Sequence, residues 1–120
     1  MELTLYTEGF FDAAHFIERH AGKCSRLHGH TWKICVWVRG EESQLDHNGI
    51  LWDFGNLKDI LECYDHRTLN DILPGNPTAE LLVKDIYERM KYQNQNLRFK
   101  VRVYENIVSR ESWCEGGDFN

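Results

Sequence analysis

The chain has 120 residues and a mass of 14.2 kDa, with 42% hydrophobic residues, 28% charged residues and a net charge of −5 at pH 7. That is one ordinary domain, residues 1–120, with enough apolar side chains for a core. No apolar run is long enough for a membrane span, and the acidic balance argues against a dedicated nucleic-acid binder.

Residues 2–16 read as an extended segment in which Leu3 and Leu5 alternate with Thr4 and Tyr6, and Gly9 predicts a bulge or bend. The acidic, alternating start is unlike a signal peptide, so four cysteines without a CxxC pair point to reduced thiols and a cytoplasmic setting. Residues 17–27 are polar and basic and read as a loop. Residues 30–39 alternate, with Trp32, Ile34, Val36 and Val38 on one face and Thr31, Lys33, Cys35, Trp37 and Arg39 on the other. A polar loop over 40–49 follows. Asp53 is placed to cap a helix carrying Phe54, Leu57, Ile60 and Leu61 to about Cys63. After a loop over 64–77, Asn76 or Thr78 caps a second helix, whose inner stripe is Leu82, Val83, Ile86, Tyr87 and Met90. Residues 97–104 alternate again, Leu97, Phe99, Val101 and Val103 facing in. A last strand is predicted over 107–113, with a tail from 115 to 120. The order strand, strand, helix, helix, strand, strand is an α+β pattern: a four-stranded antiparallel sheet with two helices on one face. Its free edges are a reason to oligomerise.

Three clusters carry chemistry. In Cys24-Ser-Arg-Leu-His28-Gly-His30 the two histidines are spaced i, i+2 on an extended segment and point to the same side. An antiparallel neighbour ending at His15 brings a third imidazole beside them, and three histidines with one open position is a catalytic zinc arrangement; the competing role for His15 is a hydrogen-bonded histidine at a sheet end. Cys24, between Lys23 and Arg26, has three readings: a fourth ligand that closes a structural site, a base or nucleophile beside an open one, or an idle loop thiol. In Tyr64-Asp65-His66 the carboxylate either orients the imidazole and raises its basicity, or both groups merely bond to the backbone of a helix C-cap loop. Glu105, at the end of an alternating strand, is either a surface charge or a pocket carboxylate matched to a paired N–H edge.

Six co-linear motifs give the protein a wider resemblance: Phe11-Asp-Ala-Ala-His15, Cys24-x-x-x-His28-Gly-His30, Trp52-Asp-Phe-x-x-Leu57-Lys, Tyr64-Asp-His66-x-x-Leu69-Asn, Asn76-Pro-Thr-Ala-Glu80 and Val103-Tyr-Glu105. They resemble the 6-pyruvoyltetrahydropterin synthase superfamily, and the three residues between Cys24 and His28 resemble its 6-carboxytetrahydropterin synthase branch, of queuosine biosynthesis. The resemblance implies the tunnelling fold, whose sheets close into an oligomeric barrel, with a homohexamer as the assembly. It implies zinc on His15, His28 and His30, catalytic roles for Cys24, Asp65 and His66, and a pterin anchor at Glu105, here followed by Asn106 where the family usually has Thr. It implies a lyase that converts 7,8-dihydroneopterin triphosphate to 6-carboxytetrahydropterin, acetaldehyde and triphosphate; Lys23, Arg26 and Arg110 are candidates for holding the triphosphate. The alternatives are a sister enzyme, of pyruvoyl-synthase or dihydroneopterin-triphosphate aldolase type, and a non-catalytic zinc-stabilised pterin-binding module.

Overall fold

A computed structural model describes residues 1–120. Five strands, β1 (Glu2–His15), β2 (His28–Glu41), β3 (Arg67–Thr68), β4 (Arg98–Asn106) and β5 (Ser112–Gly117), form one sheet in the order β3-β1-β2-β4-β5. Two helices, α1 (Gly55–Glu62) and α2 (Ala79–Gln93), pack on one face, α1 over β1 and α2 over β4 and β5. The four long strands are antiparallel neighbours, but β3 pairs with β1 in parallel through Ala13–Arg67 and Ala14–Thr68. The sheet is therefore mixed and five-stranded, not four-stranded and antiparallel. A two-residue strand has no periodicity to read; it forms because the segment after α1 docks on the edge of β1.

Alternation places the core. Phe11 and Ala13 of β1, Trp32 to Val38 of β2 and Phe99 to Val103 of β4 meet Leu57, Ile60 and Leu61 of α1 and Leu82, Val83, Ile86 and Met90 of α2 in one buried cluster. Thr78 caps α2, its hydroxyl accepting the Leu81 N–H at 3.2 Å. Asp53 acts from one residue before the N-cap: its carboxylate accepts the Gly55 N–H at 2.8 Å, while Phe54 holds the N-cap position.

The predicted bulge at Gly9 is absent. The β1–β2 register runs unbroken from Glu2–Glu41 to His15–His28. The glycine leaves room for a helix: a Cβ there would lie 2.6 Å from Leu61 Cδ1, where α1 crosses the strand, and the leucine would have to shift. The irregularity lies instead between Tyr104 and Asn106. Asn106 Oδ1 then accepts the Val108 N–H at 3.0 Å, a local turn that delays the last strand to Ser112 and carries it through Gly117, into what reads as tail. No helix is long and apolar enough to cross a membrane.

Candidate metal and substrate site

The inward face of the sheet changes character at one end. On β1 the inward series is Phe11, Ala13, His15; on β2 it is Ile34, Trp32, His30, His28; on β4 it is Val101, Val103, Glu105. His15 pairs directly with His28, and His30 lies one pleat further along β2. The three rings meet edge-on, with centroids 4.6 Å apart for His15–His28, 5.0 Å for His15–His30 and 4.9 Å for His28–His30. Each offers a ring nitrogen within 4.8 Å of the other two.

Backbone carbonyls set two of the tautomers. His15 Nδ1 lies 2.8 Å from the Pro77 carbonyl and His28 Nδ1 lies 2.6 Å from the Arg26 carbonyl. A carbonyl only accepts, so each Nδ1 carries the proton and each Nε2 keeps its lone pair. Nε2 of His15 and of His30 is buried with no hydrogen-bond partner. Burial also lowers the pKa of both rings, outweighing the opposite pull of the Pro77 hydrogen bond on His15 and of Glu105 on His30, so they stay neutral at neutral pH. Neutral, convergent, unpartnered imidazole nitrogens are the donor set that zinc takes, and the residues fit that ion.

Around this cluster the other expected residues are dispersed. Glu105 Oε1 sits 3.7 Å from His30 Nε2, beyond hydrogen-bond reach, and lines an open groove of about 390 Å³ with Ala79, Glu80, Trp113 and Cys114. That approach to His30 puts it on the inward face and not among Arg98, Lys100 and Arg102. Cys24 is half-buried in a single turn, Lys23–Ser25, and does not belong to the set of converging ligand atoms. Lys23, Arg26 and Arg110 are exposed. Cys35 is buried and its Sγ meets the Tyr6 hydroxyl at 3.1 Å on the outer face.

Asp65 and His66 dock on the edge of β1. Asp65 Oδ1 accepts the Asp12 N–H at 3.0 Å, and the His66 N–H donates to the Asp12 carbonyl at 2.7 Å. Asp65 Oδ2 holds His66 Nδ1 at 2.8 Å, which leaves Nε2 facing solvent. The Asp12 N–H first, and then His66, lower the Asp65 pKa; the hydrogen bond and charge of Asp65 raise that of His66. His66 sits in the left-handed region at φ 58°, a conformation that concentrates at functional sites. It lines an open groove of about 560 Å³ with Asp12, Thr31 and Gly29. Tyr64, fully buried, anchors this segment by stacking on Phe11 and donating its hydroxyl to Asp85.

Sequence reasoning missed the carbonyls of Arg26 and Pro77, which carry no side-chain signature. Both lie inside the quoted motifs, Arg26 at an unspecified position of Cys24-x-x-x-His28-Gly-His30 and Pro77 in Asn76-Pro-Thr-Ala-Glu80.

A family profile described as 6-pyruvoyl tetrahydropterin synthase matches residues 4–115. A Bacillus subtilis protein named 6-carboxy-5,6,7,8-tetrahydropterin synthase is 42% identical over 113 residues, covering 85% of this chain and 76% of its own. A Pyrococcus furiosus protein named dihydroneopterin monophosphate aldolase is 33% identical over 123 residues, covering 99% of this chain and 95% of its own. The solved structure of Caenorhabditis elegans 6-pyruvoyl tetrahydropterin synthase superposes with a TM-score of 0.72 at 26% identity, covering 97% of this chain and 96% of that one. Profile, sequence relatives and superposed fold converge on one assignment: the chain belongs to the 6-pyruvoyl tetrahydropterin synthase family.

Proposed function

We propose that the protein is a zinc-dependent carbon–carbon lyase of the 6-carboxytetrahydropterin synthase type, acting on 7,8-dihydroneopterin triphosphate in queuosine and 7-deazapurine biosynthesis. The observation that carries the reading is the convergence of His15, His28 and His30 with two buried, unpartnered Nε2 atoms, in a protein 42% identical to one of that name. When bound to the three imidazoles, zinc would polarise the vicinal hydroxyls on the substrate's propyl tail and lower their pKa. Glu105 anchors the pterin: its carboxylate accepts the paired N–H groups of the 2-amino-4-oxo edge. Cys24 takes a proton from the tail carbon next to the ring. His66, held at Nδ1 by Asp65, exchanges protons through Nε2 in the later steps, including cleavage of the carbon–carbon bond of that tail.

The proposed assembly is a homo-oligomeric barrel, a hexamer by the resemblance. Two features support a partner. Residues 2–11 of β1 have no strand neighbour on the side away from β2, and β5 is open on its outer side. The protein is also elongated, 50 × 25 × 21 Å with a radius of gyration of 15.4 Å, against about 14 Å for a compact fold of this length. The proposed setting is the cytoplasm, with a small anionic substrate as partner rather than nucleic acid or a membrane. The aldolase-type reading has the support of the Pyrococcus furiosus relative. Incubation with 7,8-dihydroneopterin triphosphate and mass analysis separates the two. Acetaldehyde, triphosphate and 6-carboxytetrahydropterin are expected; glycolaldehyde triphosphate with 6-hydroxymethyl-7,8-dihydropterin would assign the aldolase reaction, and unchanged substrate would refute both.

A further inference from the structure

Beyond His15, where β1 ends, side chains replace a strand neighbour on one side of the backbone. The Phe16 N–H donates to Asn70 Oδ1 at 3.0 Å, and Asn70 Nδ2 donates back to the Phe16 carbonyl at 2.9 Å. Two residues on, the Glu18 N–H donates to Asn76 Oδ1 at 2.8 Å, and Asn76 Nδ2 donates to the Glu18 carbonyl at 3.2 Å. Ala14 pairs with Thr68, so Phe16 meeting Asn70 keeps the register of the β1–β3 ladder. A carboxamide holds a donor and an acceptor at the spacing of one residue's N–H and C=O, which a carboxylate or hydroxyl does not reproduce. The intervening residue faces the other way: the Ile17 N–H donates to the Cys24 carbonyl at 2.7 Å.

Cys24 is thereby tethered on both sides. Its own carbonyl is bound to Ile17, two residues past His15. Two residues beyond Cys24, the Arg26 carbonyl holds His28 Nδ1. Between these ties the turn closes on itself, with the Ser25 and Arg26 N–H groups donating to the Gly22 and Lys23 carbonyls at 3.2 and 3.0 Å.

We propose that Asn70 and Asn76 are positioning residues for Cys24. Their amides hold the backbone of Phe16 and Glu18, so that Ile17 presents its N–H to the Cys24 carbonyl and the Cys24 turn is fixed between His15 and His28. The role in turnover rests on the reading of Cys24 as the proton acceptor; the clamp itself does not. The test uses the full-length, zinc-loaded protein as Asn70→Ala, Asn76→Ala and Asn70→Asp, the last keeping the acceptor for the Phe16 N–H and losing the donor. Three readouts are taken: iodoacetamide alkylation of each cysteine by peptide mass spectrometry, amide hydrogen exchange at Ile17, and steady-state kinetics. Alkylation of Cys24 is expected to accelerate while that of Cys35, Cys63 and Cys114 stays unchanged, and Ile17 exchange to rise about tenfold or more. Turnover is expected to fall about ten- to a hundredfold with KM nearly constant, as for a displaced reacting group. Asn70→Asp should fall between the parent and Asn70→Ala, and it retains a readable fold if an alanine variant does not. Folded variants with parental Cys24 alkylation and Ile17 exchange would overturn the clamp. A clamp that loosens while Cys24→Ala keeps parental turnover would instead remove the catalytic reading of Cys24.

Discussion

Among the three histidines, His28→Ala gives the cleanest test of the metal site. His15 is 1% exposed, bonded to Pro77 and packed edge-on against Trp32, so its removal would open a cavity at the margin of the core and confound metal loss with unfolding. His28 is half-buried, and its one hydrogen bond is to the carbonyl of a loop residue. Truncating it removes one of three ligands. Loss of an outer partner of a zinc ligand costs about 10–100-fold in affinity, so loss of the ligand itself should cost at least about 100-fold. With free zinc at about 1,000 times the parent's Kd, binding stabilises the parent by about 4.1 kcal/mol and a 100-fold weaker variant by about 1.4 kcal/mol. The difference of about 2.7 kcal/mol corresponds to roughly 10 °C in Tm for a protein of this size. Thermal unfolding of both proteins, with zinc and with chelator, reads this directly, and metal analysis gives the stoichiometry. The two should melt together in chelator and separate by about that margin in zinc. A variant showing the parent's full zinc-dependent rise would refute the three-histidine site.

In Asp65→Asn the hydrogen bond that raises His66 is weakened and the facing charge removed, so the His66 titration followed by NMR should move to lower pH, and turnover should fall about 10²–10⁴-fold. The sign for stability follows: because the folded pKa of His66 is raised, its contribution is complete below the unfolded value near 6.5 and is lost as pH rises through the folded value, a dependence that Asp65→Asn should flatten. Glu105→Gln keeps the shape but loses the charge-assisted pair, so pterin affinity by calorimetry should weaken by about ten- to a hundredfold while zinc content is unchanged. Gly117→Ala should destabilise by about 1–3 kcal/mol in urea unfolding, since φ is 149° and a Cβ would sit 2.2 Å from the Phe99 carbonyl oxygen.

Much of this architecture is legible in the alternation of three strands. Trp32 to Val38 and Phe99 to Val103 announce their inward faces by apolar residues at every second position, and the histidines at 28 and 30 inherit the parity of Trp32. The spacing of Leu57, Ile60 and Leu61, and of Leu82, Ile86 and Met90, likewise finds both helices. What escapes has no pattern to read. Arg67 and Thr68 become a strand only because Asp65 and His66 grip the backbone of Asp12. The delay of β5 to Ser112 depends on a turn closed by Asn106. The two carbonyls that fix the imidazole tautomers come from Arg26 and Pro77, whose side chains play no part in the bond.

The placement of the cluster also explains why it is sheltered without being isolated. Trp32 is the last inward apolar residue of β2, fully buried, and both His15 and His30 pack edge-on against it, with centroids 5.0 and 5.2 Å away. The imidazoles are thus the next layer of the core itself, and the same burial that disfavours their charged forms favours them as neutral ligands. Because side chains in a strand repeat every second residue, a one-residue slip of β1 against β2 would send His15 to the outer face together with Phe11 and Ala13. Core packing and ligand convergence depend on one register, so the cost of exposing Phe11 also guards the geometry of the histidines.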